Sequence, residues 1–398
     1  MDFYSFFITN LDFSLLLIFG IIFGIILILN KKRLEIQKIV FPLLYLILYK
    51  TKWGLKAMDS FAKKLSERAK NILSYSAITT GFIGMAFILV TFLQSVYKYF
   101  FIEKEMIVAP LLPGVTIPGL PKLTFIHWII AIFVLATVHE FSHGLFARMH
   151  KIKVKSSGFA FFGILLPIIP AAFVEPDEKQ LQKASKKKQL AVLSAGTFAN
   201  FITALVFFLI LMFIFTPLTA LTLSGQQGIT IAGIDTGGPS DNLGIEAGEK
   251  ILALNNIEIS NLKEFFDTLN KTVPFEKAEL KTNKAIYYMT LGENPQAERG
   301  YIGLQLAPNL NFWAKLLVWL NILIYWIFLT NLMVGLINLL PIGIVDGGRM
   351  FYLVLLTVFK KEKIAKRTFN VVSIILLLML LLFLIPALFN YFTAPFLG

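Results

Sequence analysis

The chain has 398 residues, 57% of them hydrophobic and only 15% charged, with a mean hydropathy of +0.73. That balance excludes an ordinary soluble globular protein, whose surface would not tolerate so many long uncharged apolar runs. No cysteine is present, so disulfides and thiolate metal sites are excluded, and a formal net charge of +13 has to be accounted for by where the cations lie.

Six apolar runs are long enough for a hydrocarbon layer of roughly 30 Å, which takes about 20 helical residues. They cover residues 13–29, 77–97, 123–147, 190–215, 316–340 and 371–392. The first is expected to be a retained span rather than a signal peptide. Its N-terminal flank carries Asp2 and Asp12 instead of basic residues, and no small-residue cleavage site precedes Lys31-Lys32-Arg33. Alternating the six spans puts residues 31–76, 148–189 and 348–368 on one side. Those loops hold 26 of the 37 Lys and Arg, which makes that side cytoplasmic and both termini external. The excess charge is therefore an orientation signal, and nucleic acid is not needed to explain it. Within the first loop, Ile39–Tyr49 is apolar but too short to span, and is expected in the membrane interface beside Lys50 and Lys52.

The third run contains Val138-His139-Glu140-Phe141-Ser142-His143. An ionisable residue near the middle of a bilayer costs roughly 2.5–3.5 kcal/mol on insertion scales, so it marks a candidate functional site. Spacing of i and i+4 places His139 and His143 on one helical face, where two imidazoles can share a metal. Glu140, beside the first, is positioned as a general base toward a water at that metal. Without cysteine, zinc has to be held by histidine and carboxylate oxygen, and a third ligand is still needed. His127 and His150 lie too far along the chain to serve. After the fifth run, Asn338-Leu339-Leu340-Pro341 leads to Asp346-Gly347-Gly348-Arg349. Both this motif and His139 fall toward the cytoplasmic end of spans running inward, so topology alone brings them to similar depth. Asp346 serves there as third ligand, as cap of a helix beginning near Gly347, or as both. Arg349 reads as an interfacial anchor.

Two stretches break the apolar pattern. Residues 151–163 alternate polar and apolar before turning apolar, and Leu166–Val174 is too interrupted by proline for a span. We read them as a re-entrant strand and loop that enters from the cytoplasmic side and presents substrate to the metal. A helical substrate must unwind before cleavage, and each backbone group freed in lipid needs a partner, which an exposed strand edge supplies. The proline-rich stretch 110–121 caps the outer side. Residues 225–308, in contrast, have soluble composition, alternating apolar residues and frequent Gly and Asn turns, enough for one small domain.

Taken together, His139-Glu140-Phe141-Ser142-His143 and Asn338-x-x-Pro341-x-x-x-x-Asp346-Gly347 resemble the site-2 protease family of intramembrane zinc metalloproteases. The outer domain, residues 225–308 with its core at 232–256, resembles a PDZ module, in a circularly permuted form whose carboxylate-binding loop would be Tyr301-Ile302-Gly303-Leu304. The resemblance implies zinc on His139, His143 and Asp346, with Glu140 as catalytic base. It also implies substrates that are single-span membrane proteins already trimmed by another protease, with the PDZ-like domain gripping a new C-terminus or acting as a size filter. Asn200 and Asn338 are candidates for steadying the oxyanion or substrate backbone, although intramembrane Asn often only bonds a neighbouring helix. Where the family often has Gly-Pro-x-x-Asn, this chain has Gly196-Thr197-Phe198-Ala199-Asn200. Glu249 and Asn256 are mild departures from the PDZ pattern.

The expected architecture is a polytopic α-helical protein of the prokaryotic cytoplasmic membrane, with about six transmembrane helices, an inserted extracytoplasmic α+β PDZ-like domain and a re-entrant β segment. Its parts are residues 1–122 (two spans, basic interfacial segment, proline-rich loop), 123–217 (zincin helix, re-entrant segment, following span), 225–308 (PDZ-like) and 312–398 (Asp-Gly motif span and last span). A divalent-metal or proton transporter using the same cluster is the rival reading, but no internal repeat supports it.

Overall fold

Polar caps placed just before apolar runs set the helix starts. Ser66 Oγ accepts from Ala69 N–H at 3.2 Å and opens the helix Glu67–Phe101, with Glu67 suitably placed at the positive end of the dipole. Asp177 caps Glu178–Lys183 through Gln180 N–H at 3.0 Å. This computed structural model describes residues 10–29, 34–40, 44–52, 54–102, 110–115, 117, 119–164, 166–224, 227–294 and 299–397. In chain order the elements are α1 (Leu11–Leu29), β1 (Leu34–Val40), β2 (Leu44–Thr51), α2 (Leu55–Lys64), α3 (Glu67–Phe101), α4 (Phe125–Met149), β3 (Val154–Ile164), β4 (Leu166–Pro176), α5 (Glu178–Lys183) and α6 (Lys186–Ile210). A π-turn over Leu211–Phe215 leads to α7 (Thr216–Ser224), β5 (Ile229–Ile234), β6 (Lys250–Leu254), β7 (Ile257–Glu258), α8 (Leu262–Leu269), β8 (Lys277–Thr282), β9 (Ile286–Thr290), β10 (Gly292–Glu293), β11 (Gly300–Tyr301) and β12 (Leu304–Pro308). Then come α9 (Phe312–Ile337), α10 (Asp346–Phe359) and α11 (Glu362–Leu397). They divide into two units, residues 1–208 with 322–398, and residues 209–321.

Five helices among the described residues are long and apolar enough to cross a membrane, namely α3, α4, the continuous helix from Lys186 to Leu223, α9 and α11. Helix α1 is apolar but shorter. The chain is thus a polytopic helical membrane protein that also carries β-sheets. Leu378 and Phe389 of α11 are 62% and 67% exposed, a face that lipid accepts and water would not. Leu16, Leu123, Trp128, Ala131, Leu135 and Trp326 bury together and join α1, α4 and α9. The N-terminus of α4 is closed by α1: Phe125 N–H donates to Asp12 Oδ1 at 2.8 Å, and Lys122 pairs with Asp12 at 2.8 Å.

Beside these helices lies an antiparallel sheet in the order β1-β2-β3-β4. Leu44 pairs with Ile164 through to Thr51 with Ser157, and Ile164 pairs with Leu166 through to Val154 with Pro176. Residues 39–40 and 44–49, expected in the membrane interface, form part of β1 and β2 in this sheet, where strand pairing satisfies their backbone. One expectation changes here: residues 166–174, expected as a loop, form most of β4, whose register with β3 shifts once between Pro167 and Ile169. Pro167, Pro170 and Pro176 are tolerated because β4 is the sheet edge, where a missing N–H costs no ladder bond.

The second unit has a sheet in the order β12-β5-β6-β8-β9, with β7 on β6, and a small β10-β11 pair. Alternation buries Ile229 and Ile231 of β5, which pack with Ile251, Leu254, Phe265, Leu280 and Leu291. Asn261 caps α8, with Glu264 N–H on Asn261 Oδ1 at 3.0 Å, and Glu264 reaches back to accept from Ser260 N–H at 2.8 Å. Asn255 and Asn256 both take positive φ, 50° and 59°, as a two-residue hairpin between β6 and β7 needs.

Candidate metal centre

Helix α4 presents His139 and His143 one turn apart, each 9% exposed, with Glu140 beside them. Asp346 arrives from the other end of the sequence, in the first turn of α10. The turn before it is tight: Gly347 N–H donates to Asn338 O at 2.8 Å, and Gly343 N–H donates to Ser373 Oγ at 2.7 Å. A side chain at Gly347 would overlap the carbonyl of Leu339, and one at Gly348 that of Ile342. The α10 N-cap is Val345, with no side-chain capping bond. The Asp346 carboxylate instead faces the histidines.

The three groups converge. Asp346 Oδ2 lies 3.2 Å from His139 Nε2 and 3.1 Å from His143 Nε2, and the two Nε2 atoms are 3.1 Å apart. This near-equilateral triangle suits one tetrahedral ion, since three ligands about 2.0–2.1 Å from zinc stand about 3.3 Å apart. The donor set is right as well. His143 Nδ1 donates to Val192 O at 2.7 Å, because a carbonyl can only accept, so Nε2 carries its lone pair toward the triangle. His139 Nδ1 meets the Asn200 amide at 3.0 Å, while Asn200 Oδ1 has no partner among the described residues. Turning that amide so its oxygen takes Nδ1–H satisfies the oxygen and frees His139 Nε2 in the same way. Among the described residues, His139, His143 and Asp346 form the one group of His, Asp or Glu able to hold an ion.

Glu140 stands apart from the triangle. Its Oε2 accepts from Val174 N–H of β4 at 2.9 Å. That N–H points away from β3, so the free edge of β4 faces Glu140, and with a period of two Ala172 N–H points the same way. A cavity of about 710 Å³ reaches the site, lined by Leu135, Pro170, Ala172, Asn338 and Leu388 among others. Another, of about 430 Å³, meets the site from the charged side, past Lys50, Glu175, Glu178 and Arg349.

The structure therefore brings together His139, Glu140, His143, Asp346, Asn200 and Asn338, the last through its backbone and its place on the larger cavity. His127 instead bonds Thr124 Oγ1 at 2.7 Å, and His150 bonds Ser74 Oγ at 3.0 Å. Tyr301, Ile302, Gly303 and Leu304 belong to the second unit. There the Tyr301 hydroxyl donates to Asp235, Ile302 O accepts from Ser240 Oγ at 2.6 Å, and Gly303 takes φ 75°. Thr197 is fully buried in regular α6, and its hydroxyl has no partner among the described residues.

Sequence reasoning missed three contributors. A Cβ at Gly196 would lie 2.5 Å from His143 Nε2 and 2.6 Å from His139 Nε2, so only glycine lets α6 lie against the imidazoles. Val174 N–H holds the Glu140 carboxylate. Arg349, read as an anchor, pairs with Glu178 at 2.6 and 3.0 Å and lines both cavities. Only Gly196 carried a signal, four residues before Asn200.

Residues 127–383 match the family model of peptidase family M50. A relative described as uncharacterized protein MJ0971 from Methanocaldococcus jannaschii is 32% identical over 237 residues. The matched stretch covers 59% of this chain and 57% of that relative.

Proposed function

The chain belongs to peptidase family M50, the membrane-embedded metalloproteases of the site-2 type, and on that premise we propose that it is a zinc-dependent endopeptidase cutting transmembrane segments. The observation that carries this reading is the triangle of His139, His143 and Asp346 ligand atoms, 3.1–3.2 Å on each side, with Glu140 beside it on the same helix. Zinc held by those three groups would supply Lewis acidity toward the scissile carbonyl and a nucleophile at neutral pH. Glu140 takes the proton of the attacking water and returns it to the leaving amine. The Val174 N–H fixes that carboxylate in place until substrate arrives. Asn200 holds the His139 ring through Nδ1. Asn338, on the larger cavity, offers an amide donor toward the oxyanion or the substrate backbone.

Substrates in this reading are single-span membrane proteins, pre-cleaved by another protease. An unwound segment enters the larger cavity and adds to the free edge of β4, bonding to Ala172 N–H and C=O and to Val174 C=O. The β3–β4 hairpin is thereby a re-entrant element. The second unit acts as a PDZ-like module, with Leu304 and Leu306 of edge strand β12 packed against the core that includes Phe265 and Leu269 of α8. Its Tyr301–Leu304 loop takes a newly exposed C-terminus, or the module filters substrates by size. Helix α1 is the sixth span, the basic loops face the cytoplasm, and the PDZ-like module and both termini lie outside a prokaryotic cytoplasmic membrane.

The test uses purified full-length protein in detergent, a metal assay and a panel of single-span substrates. Glu140→Gln should lower cleavage at least about 10²-fold with metal retained, and Asp346→Ala should lose the metal. Cleavage that survives Glu140→Gln rejects the mechanism. Metal flux into liposomes that depends on Glu140 would favour the transporter instead.

A further inference from the structure

A separate cavity of about 400 Å³ lies at the lysine-rich end of the first unit, away from the metal centre. It is framed by α2, the first turn of α3, the C-terminal end of α4 and residues 151–153. Five cations line it, Lys63, Lys70, Arg148, Lys151 and Lys153, against a single acid, Asp59. The remaining lining is Gln180 and a buried apolar floor of Ala62, Met149 and Ile152.

Two of the cations are already neutralised. Arg148 Nε pairs with Asp59 at 3.2 Å, and Lys70 pairs with Glu67 at 2.7 Å. Lys63, Lys151 and Lys153 have no acidic partner within 4 Å among the described residues. The C-terminal end of α4 contributes a partial negative charge, although its carbonyls at Phe146, Ala147 and Arg148 already accept from His150, Ile152 and Lys151 N–H. The turn that allows this puts Lys151 at φ 63°. Lys70 rises from the N-terminal turn of α3, where the helix dipole adds further positive potential.

Depth matters as much as charge. Helix α3 carries no charged residue from Asn71 to Tyr97, and α4, apart from the metal-centre residues, carries none before Arg148, so both leave the hydrocarbon layer at this cavity. That is the level of lipid phosphates. A phosphate presents several acceptor oxygens to several ammonium donors at once, and basic pockets between spans take such headgroups. We propose that this cavity is a binding site for a phosphate group, supplied by an anionic phospholipid headgroup or by soluble phosphate, held by Lys63, Lys151 and Lys153 over the Ala62, Met149 and Ile152 floor. The inference does not depend on the proteolytic reading.

The experiment uses the full chain in neutral detergent micelles doped with dioleoylphosphatidylglycerol or dioleoylphosphatidylcholine, with bound lipid read by native mass spectrometry. Labelled inorganic phosphate in equilibrium dialysis forms a parallel arm. Phosphatidylglycerol should be retained at least about tenfold better than phosphatidylcholine. Lys63→Glu with Lys151→Glu should lower that retention about tenfold or more, while Lys361→Glu with Lys363→Glu, the same charge change elsewhere, should leave it within about twofold. Lys63→Gln with Lys151→Gln, at an unchanged melting temperature, repeats the loss without charge reversal. Inorganic phosphate bound with the same lysine dependence, and no lipid preference, would assign the site to soluble phosphate. Equal losses in the cavity and control variants, or no selective binding of either probe, would overturn the proposal.

Discussion

Gly196→Ala is the sharpest probe of the metal centre, because it adds one methyl group and no charge. The new Cβ would stand 2.5 Å from His143 Nε2 and 2.6 Å from His139 Nε2, where ordinary contact begins at 3.4 Å. Either the imidazoles or α6 must therefore move by about 0.9 Å, while metal–ligand distances tolerate about 0.2 Å. The rings cannot yield freely, since Val192 O and Asn200 hold their Nδ1 atoms at 2.7 and 3.0 Å. A helix shift instead strains packing, at about 1–3 kcal/mol. We expect zinc affinity to fall about 10–100-fold, as when ligand orientation is lost. Zinc per folded protein after dialysis against a graded chelator, with melting temperature alongside, measures this. Wild-type zinc retention together with wild-type cleavage would refute the claim that α6 packs on the ligand atoms.

Other outcomes follow from single contacts. Ala172→Pro removes an N–H at the free edge of β4 without touching the metal ligands; cleavage should drop at least about tenfold with zinc unchanged, and full activity would reject strand addition at that edge. Asp12→Ala removes the acceptor for Phe125 N–H and the Lys122 partner, and should cost about 1 kcal/mol of thermal or chemical stability. In the second unit, the hydrogen bond from Tyr301 holds the Asp235 carboxyl below its ordinary range, and the same bond raises the Tyr301 hydroxyl. A lowered carboxyl stabilises the fold above its unfolded pKa of about 4, and a raised phenol does so below about 10. That contribution should fade as pH falls through the lowered Asp235 value or rises through the raised Tyr301 value. Ultraviolet titration should show one tyrosine shifting down in Asp235→Asn; no difference would remove the bond.

Much of this protein could be read from residue type and spacing. The apolar runs announced long helices because a bilayer leaves few other ways to satisfy the backbone, and five helices among the described residues are of sufficient length. The His139, Glu140, His143 cluster was legible because ionisable groups are costly among apolar neighbours, and Asp346 because both motifs sit toward the same end of their spans. The edge-strand nature of β4 was not legible, because proline reads as a break until the neighbours show that one side of the strand has no partner. Nor was the hairpin of β1 and β2, since an apolar stretch of strand length carries no mark of which distant segment will pair with it.

What the sequence by itself determined was the inventory: membrane-length helices, a stretch of soluble composition, and a histidine pair with a carboxylate placed to share a metal. Tertiary structure alone decided the triangle of ligand atoms, the closeness of α6 at Gly196, and the anchoring of Glu140 by Val174 N–H. The reason is that hydropathy and helical periodicity act locally along the chain, whereas distances near 3 Å between residues some 200 positions apart arise only when packed helices and a paired strand fix one another.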